Sequence, residues 1–278
     1  MVNNKTKSTH KEAAKANTTT KTSTKTTTVG SKSTTTTVAT KTTTTTVLPE
    51  STVTTTVTKI ATTTASSSAL LITETGVKGS YWDPTSDAGG CELPVASYAF
   101  PHGAFALGDI ATLSTLTYTH YYCGQIFQLD CGHGPVNAVV ASTCNIGQNN
   151  CGVDMIAATW NATTDYAAYG QTTCSVSLTD LNPISTSSAP ICYYRANSEF
   201  SNQWYKLLGI LNTSGKLVVG ASLGGIVGSL SSANWYQFQS TGNSFVDTDP
   251  VIFTYADGTS STFTLGQCIQ PTGVQIFS

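Results

Sequence analysis

The chain has 278 residues, 39% hydrophobic and 10% charged, with a net charge of −2. The charge is split: residues 1–74 carry nine lysines against three glutamates, a net of about +6, and residues 75–278 carry four basic against twelve acidic residues, about −8. An acidic half with a single arginine, Arg195, excludes phosphate-neutralising nucleic-acid recognition, and no apolar run approaches the roughly 20 residues of a membrane-spanning helix.

Residues 1 to about 74 are mostly Thr, Ser and Lys, with runs such as Thr34–Thr37 and Thr42–Thr46. Such a stretch buries too little apolar surface to offset the roughly 1–2 kcal/mol per residue of backbone ordering entropy. It is expected to be disordered and to act as an O-glycosylated stalk. No apolar run of signal-peptide length follows Met1, so a truncated or misassigned start is expected. Asn4, Asn17, Asn161 and Asn212 each open an N-glycosylation pattern.

The texture changes near Thr75, and all four Trp and all twelve Tyr follow it. Gly79-Ser80-Tyr81-Trp82 reads as a first strand and Gly89-Gly90-Cys91 as a tight turn. Cys123 to Trp160 alternates short apolar pieces with Gly/Asn/Pro turns, the pattern of a small disulfide-bearing β-barrel. One or two helical turns are predicted over Asp154–Asn161, with Met155, Ile156 and Trp160 at helical spacing. Residues 162–190 are polar, and a domain boundary is placed near Pro183–Pro190. Beyond it, strands are predicted at Trp204–Leu211, Lys216–Ala221, Trp235–Gln239, Val251–Tyr255 and Ser261–Leu265. Asp257-Gly258 marks a hairpin, because that dipeptide tolerates the positive φ of tight turns. The expected architecture is all-β: a barrel over 75–187, a β-sandwich over 188–278, and a disordered segment over 1–74.

Eight cysteines fall after residue 90: Cys91, Cys123, Cys131, Cys144, Cys151, Cys174, Cys192 and Cys268. An even count with no Cys-x-x-Cys pair favours disulfides in an oxidising compartment over a metal site. Connectivity is open, with Cys144–Cys151 a candidate local pair. No metal and no cofactor are expected. Gly220–Gly228 lacks the lysine and the strand-to-helix context of a phosphate loop.

These pieces, in order, resemble an expansin. Gly79-Ser80-Tyr81-Trp82 with Gly89-Gly90-Cys91 resembles the opening strand and cysteine turn of the family's first domain. Cys123-Gly124-Gln125-Ile126 with Cys131 resembles its Cys-Gly-x-Cys segment, Ile126 replacing a cysteine. Val140–Cys144 and Gly152-Val153-Asp154-Met155 resemble its two aspartate-bearing pieces. Tyr193-Tyr194-Arg195, Trp204-Tyr205, Trp235–Phe238 and Gly242–Val246 resemble its second domain. The resemblance implies a six-stranded double-psi β-barrel, shared with family-45 endoglucanases and barwin-like proteins, followed by an immunoglobulin-like carbohydrate-binding sandwich. It also implies non-hydrolytic loosening of cell-wall polysaccharide, of β-glucan, cellulose or chitin type, by an extracellular or wall-bound monomer.

Two departures shape the expectation. Ser142 stands where the family commonly has an aspartate, and inverting hydrolysis needs two carboxyls about 6.5–9.5 Å apart. Asp130 is a carboxylate at a position the family does not use. A family-45-type hydrolase and a catalytically silent wall protein are the alternatives. Gly242 replaces one flat aromatic of the second domain. The expected polysaccharide contacts are Asp154, Ser80, Tyr81 and Ser142 on the barrel, and Trp204, Tyr205 and Trp235 on the sandwich. Asp154 could otherwise cap the helix after it. Tyr81 and Trp82 alternate, and Tyr81 is assigned to the groove by its motif position. Trp204 and Tyr205 are adjacent and point to opposite faces of a regular strand, so Trp204 is expected on the binding face with Trp235 beside it. His133, between two glycines, is expected to be an exposed loop residue.

Overall fold

Six strands close into a barrel: β1 (Leu70–Tyr81), β2 (Ala104–Leu107), β3 (Ile126–Asp130), β4 (Pro135–Thr143), β5 (Val153–Met155) and β6 (Gln171–Thr179), in the spatial order β1-β5-β2-β4-β3-β6. The computed structural model describes residues 69–83 and 89–277; the expected stalk, with Asn4 and Asn17, lies outside them apart from its last residues. Two pairings are parallel, β1 with β5 and β2 with β4, and the rest are antiparallel. Closure leaves no sheet edge to protect.

β1 begins at Leu70, ahead of the texture change at Thr75, and Leu70, Leu71 and Ile72 are exposed on it. β6 lies in the stretch that reads as polar. Its alternation explains this: Cys174, Val176 and Leu178 are buried, with Ser and Thr interleaved. Phe105, Phe127, Leu129, Met155 and Val176 fill the barrel. The predicted helix is displaced. Asp154 sits in strand β5, and helix α1 runs Ala157–Thr164 with Ile156 at its N-cap. The helix is tied to the barrel by hydroxyls: Thr159 donates to the Ala104 carbonyl, and Thr163 Oγ1 accepts from the Cys131 N–H at 2.9 Å.

The second layer pair is a sandwich. One sheet is β11 (Ser229–Leu230), β12 (Tyr236–Gln239), β8 (Tyr205–Leu211) and β7 (Ile191–Tyr194), in that order; the other is β10 (Ile226–Val227), β9 (Val218–Leu223), β13 (Pro250–Tyr255) and β14 (Ser260–Thr264). Leu208, Ile210, Tyr236 and Phe238 of the first sheet pack on Val218, Val251, Phe253 and Tyr255 of the second. The β13–β14 turn is the expected one, with Gly258 at φ +81° and the Asp257 carboxylate accepting the Thr259 N–H at 2.9 Å.

All eight cysteines are paired: Cys91–Cys123, Cys131–Cys174, Cys144–Cys151 and Cys192–Cys268. Three bonds lie in the barrel and one in the sandwich. Among the described residues no His/Cys/Asp/Glu group is arranged to hold a metal, and no helix is long and apolar enough to cross a membrane.

Barrel and sandwich form one unit, joined by a buried seam. Trp235 is 4% exposed and packs with the barrel core, donating from Nε1 to the Cys91 carbonyl at 3.2 Å. The void beside it measures about 10 Å³, so the seam is close-packed. Gly124 lies where the layers come closest: at φ +79°, a Cβ there would meet Leu211 at 2.4 Å. Gln125 reaches across to Thr213 Oγ1 at 2.9 Å. The C-terminal segment returns to the barrel, where Gln275 N–H donates to the Leu93 carbonyl and Phe277 packs edge-on against Tyr98.

Asn212, one of the predicted glycan acceptors, is 1% exposed. Its amide accepts from the Ile184 N–H at 2.8 Å and donates to the Ile184 and Ser187 carbonyls. The folded protein therefore has no room for a glycan at Asn212, whatever the sequence pattern. Asn161, on α1, is half-exposed.

Candidate functional site

Register builds the site. Ser80 of β1 is opposite Asp154 of β5, Asp154 is opposite Ala106 of β2, and Ala106 is opposite Ser142 of β4. Residues in register on neighbouring strands share a face. Their neighbours Phe105 and Met155 are fully buried inside, so this row of four is on the outside of the barrel wall. Period-two alternation thus puts Ser80 and Asp154 on one line with Ala106, and a register shift between Phe105 and Ala106 brings Ser142 onto it.

The row is open at one end and covered at the other. Ser80 Oγ donates to Asp154 Oδ1 at 2.6 Å, and both residues are half-exposed. Burial pushes the Asp154 carboxyl pKa up; the Ser80 hydrogen bond and the Lys78 charge act against that rise without cancelling it. Lys78 is held near by a bond from Nζ to the Asn150 carbonyl at 3.2 Å.

Ser142 is not a free groove residue. It is 5% exposed, and its Oγ accepts the Gly90 N–H at 2.9 Å. The Gly89-Gly90 turn folds over it. Gly89, at φ +84°, is so close to β4 that a Cβ would meet the Ala141 carbonyl oxygen at 2.3 Å. The hydroxyl expected to meet sugar accepts a backbone N–H of the turn above it.

Tyr81 and Trp82 are both half-exposed and both pack against the barrel core. Val77 and Gly79 are buried on the inner side of β1, and Tyr81 follows their parity. Its ring stacks on Tyr169 at 3.7 Å and lies edge-on to Trp160. Trp82 packs against Ala106 and the Cys144–Cys151 bond, the same patch that borders Asp154. Its N–H donates to the Met155 carbonyl at 2.7 Å, which holds it beside the row. Period two counted from Ser80 puts Trp82 on the side of Asp154 and Tyr81 on the other.

On the sandwich the expected aromatic pair is separated. Trp235 belongs to the buried seam, so it offers no flat surface to a polymer. The covering element is the Cys91 turn, 144 residues away in sequence. Trp204 is 48% exposed just ahead of β8. Tyr205, half-exposed, opens the outer face of β8 together with Leu207, while Lys206, Leu208 and Ile210 turn the other way. Gln237 and Gln239 of β12 pair with Leu207 and Tyr205 on that outer face.

Asp130 is engaged elsewhere. Its Oδ1 accepts from the N–H groups of Gly132 and Gly134, at the turn after β3. His133 is exposed in that turn, 3.8 Å from Asp165.

No family model matches the chain, and no curated protein matches it. Solved structures do. One is a Clavibacter michiganensis expansin with an Asp-to-Asn mutation, in complex with cellohexaose: 16% identical, TM-score 0.55, covering 73% of this chain and 95% of that one. Another is the apo Clavibacter michiganensis expansin: 18% identical, TM-score 0.53, with the same coverages. At these identities the likeness shows a shared fold, barrel and sandwich together.

Proposed function

We propose that this protein is an expansin-like polysaccharide-binding protein. It holds a β-glucan, cellulose or chitin-type chain along the outside of the barrel and sandwich, and loosens chain packing without cutting glycosidic bonds. The observation that carries the reading is the Ser80–Asp154 row: one half-exposed carboxylate bonded to a hydroxyl on the outside of the barrel, with Ser142 where a second carboxyl is expected.

The chemistry follows from that count. Inverting cleavage needs an acid and a base on opposite sides of the bond. Here the position of the second carboxyl is a serine spent on Gly90, and Asp130 is committed to its own turn. A carboxylate accepts on two oxygens, so the Ser80 bond does not exhaust Asp154, and sugar hydroxyls can donate to it. Trp82 and Tyr205 supply aromatic faces for the C–H faces of pyranose rings. Binding that favours a separated chain over a packed one would shift the polymer toward separation, since a ligand shifts an equilibrium only by its differential affinity. The shared fold and four disulfides support an extracellular or wall-bound protein.

The test is co-sedimentation of the full chain with insoluble cellulose, chitin and mixed-linkage glucan, beside an assay for reducing sugars. Retention that Asp154→Ala abolishes, with no sugar released, is the expected result. Release of reducing sugars that Asp154→Asn abolishes would replace this reading with hydrolysis. No retention on any of the three polymers would reject it in favour of a silent wall protein.

A further inference from the structure

Three tyrosines gather where the end of β1 meets the loop between α1 and β6. Tyr81 closes β1, and Tyr166 and Tyr169 stand in the loop at 165–170. Tyr166 is 77% exposed and Tyr169 56%. The Ser80–Asp154 row uses none of the three.

The rings of Tyr81 and Tyr169 stack face to face, with centroids 3.7 Å apart and an interplanar angle of 9°. Aromatic pairs left to themselves prefer offset or edge-on packing over a face-to-face sandwich. The backbone holds this pair instead. Tyr166 N–H donates to the Asn161 carbonyl at 3.1 Å, and the Trp160 indole N–H donates to the Ala167 carbonyl at 2.9 Å. Tyr81 N–H donates to the Gly170 carbonyl at 3.3 Å. These three bonds fix both ends of the loop that carries Tyr169.

Burial pushes the Tyr81 phenol pKa up, and so do the Asp83 charge and a hydrogen bond with the Tyr169 hydroxyl. That bond puts both hydroxyls at the same end of the stack. The Cε carbons beside them therefore lie ring over ring. Every other tyrosine ring contact among the described residues is edge-on. Tyr98, Tyr122, Tyr193, Tyr194, Tyr236 and Tyr255 are buried, away from an oxidant.

We propose that Tyr81 and Tyr169 are a site of oxidative cross-linking, joined through their Cε carbons as a dityrosine by a peroxide-dependent one-electron oxidant of the haem-peroxidase class. Each phenol loses one electron and one proton from its O–H. The two radicals pair to form a Cε–Cε bond. The proton on each bonded Cε then moves to its oxygen through water, which restores both hydroxyls. Hydrogen peroxide takes up the two electrons and two protons and becomes two waters. Selectivity comes from position, because rings already in contact couple faster than radicals that must diffuse together. The new bond ties the end of β1, one residue from Ser80, to the lead-in of β6. Unlike the four disulfides, it does not open under a reducing agent. The inference stands apart from the polysaccharide reading and does not rest on it.

The test treats the dilute full chain with a haem peroxidase and hydrogen peroxide, then isolates the monomer by size. The monomer is expected to gain dityrosine fluorescence and to lose the mass of two hydrogens, with the link mapped by peptide mass spectrometry to Tyr81 and Tyr169. Tyr169→Phe keeps the ring and removes the phenol, and it is expected to lower the monomer yield about tenfold or more, since any remaining partner must be met by diffusion. Tyr166→Phe, at the most exposed tyrosine, is expected to leave the yield unchanged. Absence of dityrosine, links spread over several tyrosines, coupling only between chains, or a yield that Tyr169→Phe leaves intact would each overturn the proposal. Should Tyr169→Phe melt early, the link mapped in the wild type decides.

Discussion

The barrel and the sandwich expose residues for opposite reasons. On the barrel, register decides: Ser80, Asp154, Ala106 and Ser142 form a row because four strands put them opposite one another. On the sandwich, coverage decides: Trp235 and Tyr205 are both aromatic residues of one sheet region, and the barrel covers the first and leaves the second open. A row set by register survives side-chain changes that keep the strands. A surface set by coverage depends on the seam staying closed. The two regions should therefore respond differently to mutation.

The largest effect is expected at the seam. Trp235→Ala removes a buried indole that touches both layers, and such truncations cost about 3–5 kcal/mol. Differential scanning calorimetry should show a large fall in Tm and separation of barrel and sandwich unfolding. An unchanged thermogram would mean that coverage does not depend on Trp235.

At the barrel row, function and stability should part. Asp154→Asn is expected to weaken polymer binding about tenfold or more, equivalent to about 1.4 kcal/mol or above. Stability should move the other way. A carboxyl whose pKa is raised by folding favours the fold when protonated; that contribution is full below its unfolded pKa and is lost as pH rises through the folded value. At pH 7 the ionised carboxylate is therefore a cost. The asparagine variant should melt at the same or a higher temperature than wild type there, and lose that advantage as pH falls below about 4. A variant that melts lower at pH 7 than at acid pH, relative to wild type, would contradict the raised pKa.

Asn212 tests coverage without an aromatic residue. Asn212→Ala leaves the Ile184 N–H and two carbonyls without their partner, which costs about 1–3 kcal/mol for buried groups. Chemical denaturation should register this, and intact-mass spectrometry of secreted protein should find no glycan at Asn212. Occupancy there would require a seam different from the one described.

The smallest effect separates the two neighbours on β8. Tyr205→Ala should weaken polymer binding by about 0.5–1.5 kcal/mol, the scale of one aromatic contact, and Trp204→Ala by less. The reverse order would make Trp204 the stronger contact, as the sequence leads one to expect.

Much of this protein is legible in its sequence. The change of texture near Thr75, the even cysteine count, the Asp257-Gly258 hairpin and the alternating strands identify an all-β chain with a disulfide-bearing barrel and a sandwich. Asp154 stands out by sequence alone, and the alternation that places it outside was readable in Val153-Asp154-Met155. Even β6, which the reading passed over, follows from period two once the strand ends are known. Tertiary structure alone decided the rest. The burial of Trp235, the use of Ser142 by Gly90, the enclosure of Asn212 and the pairing of Arg195 with Glu92 each depend on a partner between 25 and 144 residues away. Periodicity says which residues share a face. It cannot say which face another part of the chain will cover, because that is settled by packing between segments with no local signal in common.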